Sequence, residues 1–163
     1  MEFIYIGDVV NTHGIKGELR LLSDFEKKDL VFSKGKKIYL GKKKVPFTII
    51  SYRVHKNYDM VMLEGINDIN DAILWKGEQA YIKREELSFD GILLEELIGF
   101  DVFVEGEKIG KITNIMKSKA HPILVVDEIK EIYIPYVDEF IKKINKEDKK
   151  MDVQSMKGLT SED

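Results

Sequence analysis

Ile6-Gly7-Asp8-Val9-Val10-Asn11-Thr12-His13-Gly14-Ile15-Lys16-Gly17-Glu18-Leu19-Arg20 is the stretch from which the fold is read. Phe3 to Val10 is rich in Ile, Val, Phe and Tyr, the residue types that favour a half-buried strand. Asn11 to Gly17 then carries two glycines three positions apart and is expected to be a loop. Glycine serves where the chain needs positive φ or close backbone approach. Glu18 to Leu22 resumes as a strand. Strand, glycine-bearing turn, strand is the unit that recurs along the chain.

Working outward, Lys36 to Leu40 and Val45 to Val54 read as strands joined by Gly41-Lys42-Lys43-Lys44. Pro46 lies at the start of its strand, where a missing N–H is tolerated. Tyr58 to Leu63 is the return limb of a hairpin. Asp68 to Trp75 is expected to be a helix, capped by Asn67 or Asp68, with Ile69, Ala72 and Ile73 apolar and Gly77 as the stop. Gln79 to Lys83 is a further strand, and Arg84 to Gly91 mixes charges with Ser88 and Asp90 as a linker would. The strand pattern restarts at Asp101 to Val104, Lys108 to Met116, Ile123 to Val126 and Glu131 to Pro135, with a turn from Asp127 to Lys130. Val137 to Ile144 is expected to hold a short helix with Phe140, Ile141 and Ile144 apolar; Met151 to Gln154 is a final strand, and Lys157 to Asp163 a frayed polar tail. Short strands at close spacing with glycine turns predict a mainly β protein, two small barrels or sandwiches in tandem.

Composition narrows the class. The chain has 163 residues, 44% hydrophobic and 34% charged, with no cysteine. It is shorter than the ~250 residues of an α/β-barrel enzyme and too hydrophobic for full-length disorder. Without Cys there is no disulfide, thiolate metal site or thiol nucleophile. No long apolar run suits a membrane helix, and Met1-Glu2-Phe3-Ile4 has no basic stretch leading into an apolar one, so no secretory signal is read. A soluble, cytoplasmic protein with no membrane partner is expected.

Charge is uneven. Residues 1–90 hold 15 Lys and Arg against 14 Asp and Glu, whereas residues 91–163 hold 11 against 15. Lys27, Lys28, Lys34, Lys36, Lys37, Lys42, Lys43 and Lys44 crowd one short stretch with only Asp29 against them. A polyanion suits the first half and a basic protein the second; a solvated strand edge is the plain alternative for the lysines.

Catalytic patterns are absent. His13, His55 and His121 are far apart in sequence, in three expected loops, with no metal-ligand spacing. The chain has no G-x-S-x-G elbow. The Gly14/Gly17 loop leads into Glu18 rather than Lys and Ser or Thr, and no helix follows, so it is neither a P-loop nor a dinucleotide fingerprint. Glu95 and Glu96 are adjacent and read as a solvated acidic turn. No catalytic residue, metal or cofactor is expected.

The opening stretch resembles the N-terminal signature of the bacterial ribosome maturation factor RimM (16S rRNA processing) family, a strand ending in a Thr-His-Gly-x-x-Gly-Glu loop. The likeness continues at Leu63-Glu64-Gly65-Ile66-Asn67-Asp68-Ile69-Asn70-Asp71-Ala72 and at Leu97-Ile98-Gly99-Phe100-Asp101-Val102. It continues again at Ala120-His121-Pro122-Ile123-Leu124-Val125-Val126 and from Ile132-Tyr133-Ile134-Pro135-Tyr136 to Ile141. The resemblance implies a translation-factor-like six-stranded barrel over 1–87, a linker over 88–95 and a PRC-type barrel with a polar tail over 96–163. It implies an assembly chaperone without catalysis, acting as a monomer. Its partners would be 16S rRNA in immature 30S particles and the small-subunit head ribosomal protein numbered nineteenth in standard naming. RNA-processing nuclease activity is the alternative, and a small-molecule PRC module a weaker one.

On that reading His13, Lys16 and Arg20 are rRNA or ribosome contacts, with Lys16 and Arg20 positioning on phosphates. His13 either meets RNA or shapes the loop. Gly14 and Gly17 shape the loop. Ile92, Leu93, Pro135 and Tyr136 are partner-protein or interdomain residues. The family's usual aromatic pair before its second domain is replaced here by Ile92-Leu93-Leu94. That segment is either packing between the barrels or an aliphatic patch for the ribosomal protein.

Overall fold

A computed structural model of the chain describes residues 2–127 and 130–155. It is mainly β, and it divides into two compact units, 1–90 and 91–163.

The first unit contains β1 (Phe3–His13), β2 (Glu18–Leu22), α1 (Lys28–Val31), β3 (Lys37–Leu40), β4 (Val45–His55), β5 (Tyr58–Leu63), α2 (Ile69–Ala72) and β6 (Gln79–Lys83). The six strands form a closed antiparallel barrel in the order β1-β2-β5-β4-β3-β6, with β1 pairing β6 to shut it. Closure needs strands that bend. Register shifts lie between Val9 and Asn11 against β2, between Tyr5 and Gly7 against β6, and between Ile49 and Ser51 in β4. Such bulges increase local twist and turn barrel corners. At Gly7 the close approach is extreme: a Cβ there would lie 2.5 Å from the Leu22 carbonyl oxygen.

Alternation fills the interior. Leu19 and Leu21 of β2 are fully buried, while Glu18, Arg20 and Leu22 face outward. Ile4, Ile6, Val9, Ile38, Leu40, Ile49, Val61 and Leu63 complete the core. The segment between β2 and β3 carries Phe25, Val31 and Phe32, all buried, with Phe32 stacked 5.4 Å from the Tyr52 ring. Asp59 is 2% exposed and is balanced by Lys28 Nζ at 2.9 Å and by the Tyr52 hydroxyl, which donates to it at 2.6 Å. A buried carboxylate without such partners would cost several kcal/mol.

The second unit opens with a 3-10 turn at Leu94–Leu97. It continues with β7 (Asp101–Val104), β8 (Glu107–Met116), β9 (Ile123–Asp127), β10 (Glu131–Pro135), β11 (Ile141–Asn145) and β12 (Lys150–Val153). These form one six-stranded sheet in the order β10-β9-β8-β7-β12-β11. The β12–β7 pair is parallel; the other pairs are antiparallel. Leu97, Phe100, Val102, Ile112, Leu124, Val126, Ile134, Met151 and Val153 make its core.

Four local expectations are corrected. β1 runs through Asn11 and Thr12 to His13, which pairs with Glu18, so the turn is only Gly14 to Gly17. The helix expected over Val137 to Ile144 is a single turn followed by β11. A register shift between Ile141 and Lys143 gives that strand the apolar spacing of a helix. The helix from Asp68 to Trp75 is α2 capped by the Asp68 side chain, then a 3-10 turn at Ile73–Trp75. α1 was not expected. The polar tail at Lys157 to Asp163, and part of the turn at Asp127 to Lys130, lie outside the described residues.

Candidate functional site

The Gly14–Gly17 turn is held from two sides. The Gly17 N–H donates to the Gly14 carbonyl at 3.3 Å, and the Ile69 N–H at the start of α2 donates to the Ile15 carbonyl at 3.0 Å. Both glycines have positive φ, +79° and +85°. Their surroundings differ: nothing lies within 4 Å of a Cβ placed on Gly14, whereas one on Gly17 would be 2.6 Å from the Asp68 carbonyl oxygen. Gly17 is therefore where the turn docks on the cap of α2. Lys16 and Ile15 stand exposed at its tip.

Below the turn, the outer face of β1, β2, β5 and β4 gathers the charges. Strand pairing sets His13 opposite Glu18, Arg20 opposite Met60, Met60 opposite Arg53 and His55 opposite Tyr58. Directly opposed residues share a face. Arg20 Nη2 lies 3.2 Å from His13 Nδ1, and the Arg20 guanidinium sits 5.1 Å above the Tyr58 ring centroid. Arg20 Nε is buried without a hydrogen-bond partner. Arg53 donates to Glu18 through Nε at 3.0 Å and Nη2 at 2.7 Å, the two-pronged geometry of a strong guanidinium–carboxylate pair. That pairing holds the Glu18 carboxyl below its ordinary range, with His13 and His55 adding to the effect, and raises Arg53. The rings of His13 and His55 are 6.2 Å apart. Met60, on the same face, is fully buried between its register partners Arg20 and Arg53.

The face thus presents two guanidiniums against one carboxylate, with two imidazoles beside them. It carries positive charge on a fixed apolar base, a surface suited to phosphate. Of the residues read from sequence, His13 and Arg20 are brought together here and Lys16 projects nearby on the turn. Arg53, His55 and Tyr58 were missed. The polar residues of β4 at every second position, Ser51, Arg53 and His55, were the available signal of an outward face.

The lysine stretch does not form one patch. Lys28 pairs with Asp59, Lys27 lies over Phe89 and Lys44 over Tyr81. Lys34, Lys36 and Lys37 precede or open β3, whereas Lys42 and Lys43 follow it. In the second unit, Leu93 is fully buried, and its N–H donates to Glu96 at 2.9 Å, so Glu96 caps the 3-10 turn. Ile92 and Tyr136 pack against the core of the sheet, and Pro135 ends β10 opposite Ile123. Asp101 is flanked by Lys111 at 3.2 Å and Lys108 at 3.3 Å, which lower its carboxyl. Among the described residues no three His, Asp or Glu side chains group so as to hold a metal ion. No helix among them is long and apolar enough to cross a membrane.

Comparison with known proteins adds a second line of observation. The family model of the RimM N-terminal domain matches residues 4–87, and that of the RimM PRC barrel domain matches residues 94–159. A ribosome maturation factor RimM of Staphylococcus haemolyticus is 36% identical, over 96% of this chain and 98% of that protein. The protein of the same name from Halalkalibacterium halodurans is 33% identical, over 97% and 98%. The solution structure of the N-terminal domain of RimM from Thermus thermophilus aligns over 55% of this chain and 98% of its own, at 21% identity and a TM-score of 0.46. With both family models matched in order and relatives aligned over nearly the full length, the chain belongs to the RimM family.

Proposed function

We propose that the chain is a ribosome maturation factor that works without catalysis, as an assembly chaperone. It binds the immature small subunit at its head, through 16S rRNA and the nineteenth small-subunit ribosomal protein, and promotes 16S rRNA maturation. It acts as a cytoplasmic monomer. The observation that carries this reading is the cationic outer face of the first barrel, where Arg20 is braced by His13 and Tyr58 and Arg53 by Glu18. Guanidiniums held in place lose little side-chain freedom on meeting phosphate. His13, Lys16 and Arg20 are the rRNA contacts in this reading, joined by Arg53 and His55. The acidic second half suits a basic ribosomal protein, with Pro135 on the β10 edge contributing to that contact; Ile92 and Leu93 are taken up by burial within the protein itself.

The test is pelleting of the full chain with immature and mature small subunits at matched salt. Stoichiometric binding to immature particles and little to mature ones is expected, and Arg20→Ala should weaken it about tenfold, in line with a lost charge-assisted contact of about 1.5 kcal/mol. Equal binding to both particles would sink the proposal.

A further inference from the structure

A second surface of the first barrel has the makings of a nucleotide slot. The Gly41–Lys44 turn closes with the Lys44 N–H donating to the Gly41 carbonyl at 3.0 Å, and the Gly41 N–H donates to Gln79 at 2.9 Å. Beside it stands Trp75, at the end of the 3-10 turn that follows α2. The Phe47 and Trp75 rings meet edge to face, their centroids 5.2 Å apart. Between indole and turn is a cavity of about 240 Å³, walled by Trp75, Val45 and Gly41 and edged by Lys42, Lys43 and Glu78. Gly41 lets the walls approach: a Cβ there would sit 3.5 Å from the indole and 3.3 Å from Glu78 Oε2. Lys42 and Lys43 are exposed, while Lys44 is turned aside onto the Tyr81 ring, 4.1 Å from its centroid.

Resting on the rRNA-binding reading above, we infer that this slot takes one unpaired nucleotide of single-stranded RNA. The base lies against the Trp75 indole, and the flanking phosphates meet Lys42 and Lys43. Glu78, an acceptor only, takes a hydrogen bond from a base amine or a ribose hydroxyl. The volume is below the 300–1,000 Å³ of ordinary small-molecule sites, so one base fits and an extended ligand does not. Aromatic stacking beside cations is the general means of holding single strands, and a duplex keeps its base faces stacked away from the indole.

Trp75 is the sole tryptophan, so its emission reports this slot. The full chain is titrated with a fluorescently labelled single-stranded oligoribonucleotide, with anisotropy of the label followed in parallel. Saturable quenching of Trp75 that weakens with salt is expected. Lys42→Ala with Lys43→Ala should raise the Kd about tenfold at low salt, while Lys42→Arg with Lys43→Arg retains quenching, showing that charge and not the turn's fold is read. Bound RNA by anisotropy with unchanged Trp75 emission would overturn the slot and leave the barrel's RNA reading intact. Neither signal, together with equal pelleting on mature and immature subunits, would overturn both. Quenching by adenosine monophosphate as tight as by the oligomer would overturn the RNA assignment in favour of a free nucleotide.

Discussion

The two sheets each have six strands and treat their edges differently. In the first unit β1 spans eleven residues and is paired along both sides, by β2 and by β6, so no edge remains. In the second, β10 and β11 stand at the ends of the sheet, each paired on one side among the described residues. Those edges carry Pro135 in β10 and Lys142 and Lys143 in β11, residue types that discourage a further strand from pairing. The difference teaches what closure is for. A closed wall fixes four adjacent strands firmly enough to hold Arg20, Arg53 and two imidazoles in one arrangement, whereas the open sheet protects its borders by composition.

Breaking the wall at its tightest point is the strongest challenge to that comparison. Gly7→Ala pushes a Cβ against the Leu22 carbonyl and should cost about 3 kcal/mol. Its counterpart Gly110→Ala meets Val126 Cγ1 at 2.8 Å and the Asp127 carbonyl oxygen at 3.0 Å, and should cost about 2 kcal/mol, since the valine can turn aside. Hydrogen exchange resolved by segment reads each unit separately. A larger loss from Gly110→Ala would show the closed sheet is not the stiffer one.

Within the site the same contrast applies to two glycines. Gly17→Ala combines positive φ with a backbone collision and should cost about 2–3 kcal/mol; Gly14→Ala meets only the conformational penalty, about 1 kcal/mol. Urea midpoints followed by Trp75 emission measure both. Equal costs would mean that α2 shifts to accommodate the new methyl group.

Alkali should separate the units next. Tyr5, Tyr39 and Tyr52, all in the barrel, are pushed up to about 12, burial being the largest cause. Tyr133 of the open sheet is raised chiefly by its hydrogen bond to Glu131. A raised folded value means stability is fully present below pH 10 and is lost as pH rises toward 12. For Tyr52 the loss is on the order of 1–2 kcal/mol, and Tyr52→Phe should flatten that slope in barrel unfolding followed against pH.

Acid should give the smallest separation. Glu18 and Asp101 are both lowered, the first by Arg53 and the second by Lys111 and then Lys108. Each therefore adds stability that is present above its ordinary value, 4.5 for Glu18 and 3.8 for Asp101, and is lost as pH falls through its lowered one. The Glu18 side chain is 13% exposed and Asp101 29%, so solvent screens the second pair more. Glu18→Gln should reduce the acid slope in thermal melts more than Asp101→Asn does.

Much of the fold could be read because strands alternate visibly. Glu18-Leu19-Arg20-Leu21-Leu22 announces its inward face, and Asp68 announces the cap it makes with the Asp71 N–H. The helix expected at Val137 to Ile144 failed because a bulge shifted strand spacing toward three. The neighbourhood of His13 and His55 was hidden for another reason: it depends on β2 pairing β5 and β5 pairing β4, across about forty residues of chain. The lysine stretch is contiguous in sequence, yet Lys34, Lys36 and Lys37 fall at one end of β3 and Lys42 and Lys43 at the other. Local chemistry names an element; which elements become neighbours is decided by burial and pairing over the whole unit.

The parallel pairing of β12 with β7 has a consequence during synthesis. Lys150–Val153 lies inside its sheet, between β7 and β11, and joins a strand made about fifty residues earlier. The barrel has its closing strand once Lys83 has emerged from the ribosome, so it is complete while later codons are still being read. The second sheet waits for β12, and until then β7 lacks a neighbour on one side. The nascent chain therefore carries a finished barrel ahead of an unfinished acidic half, an order imposed by contact distance along the chain.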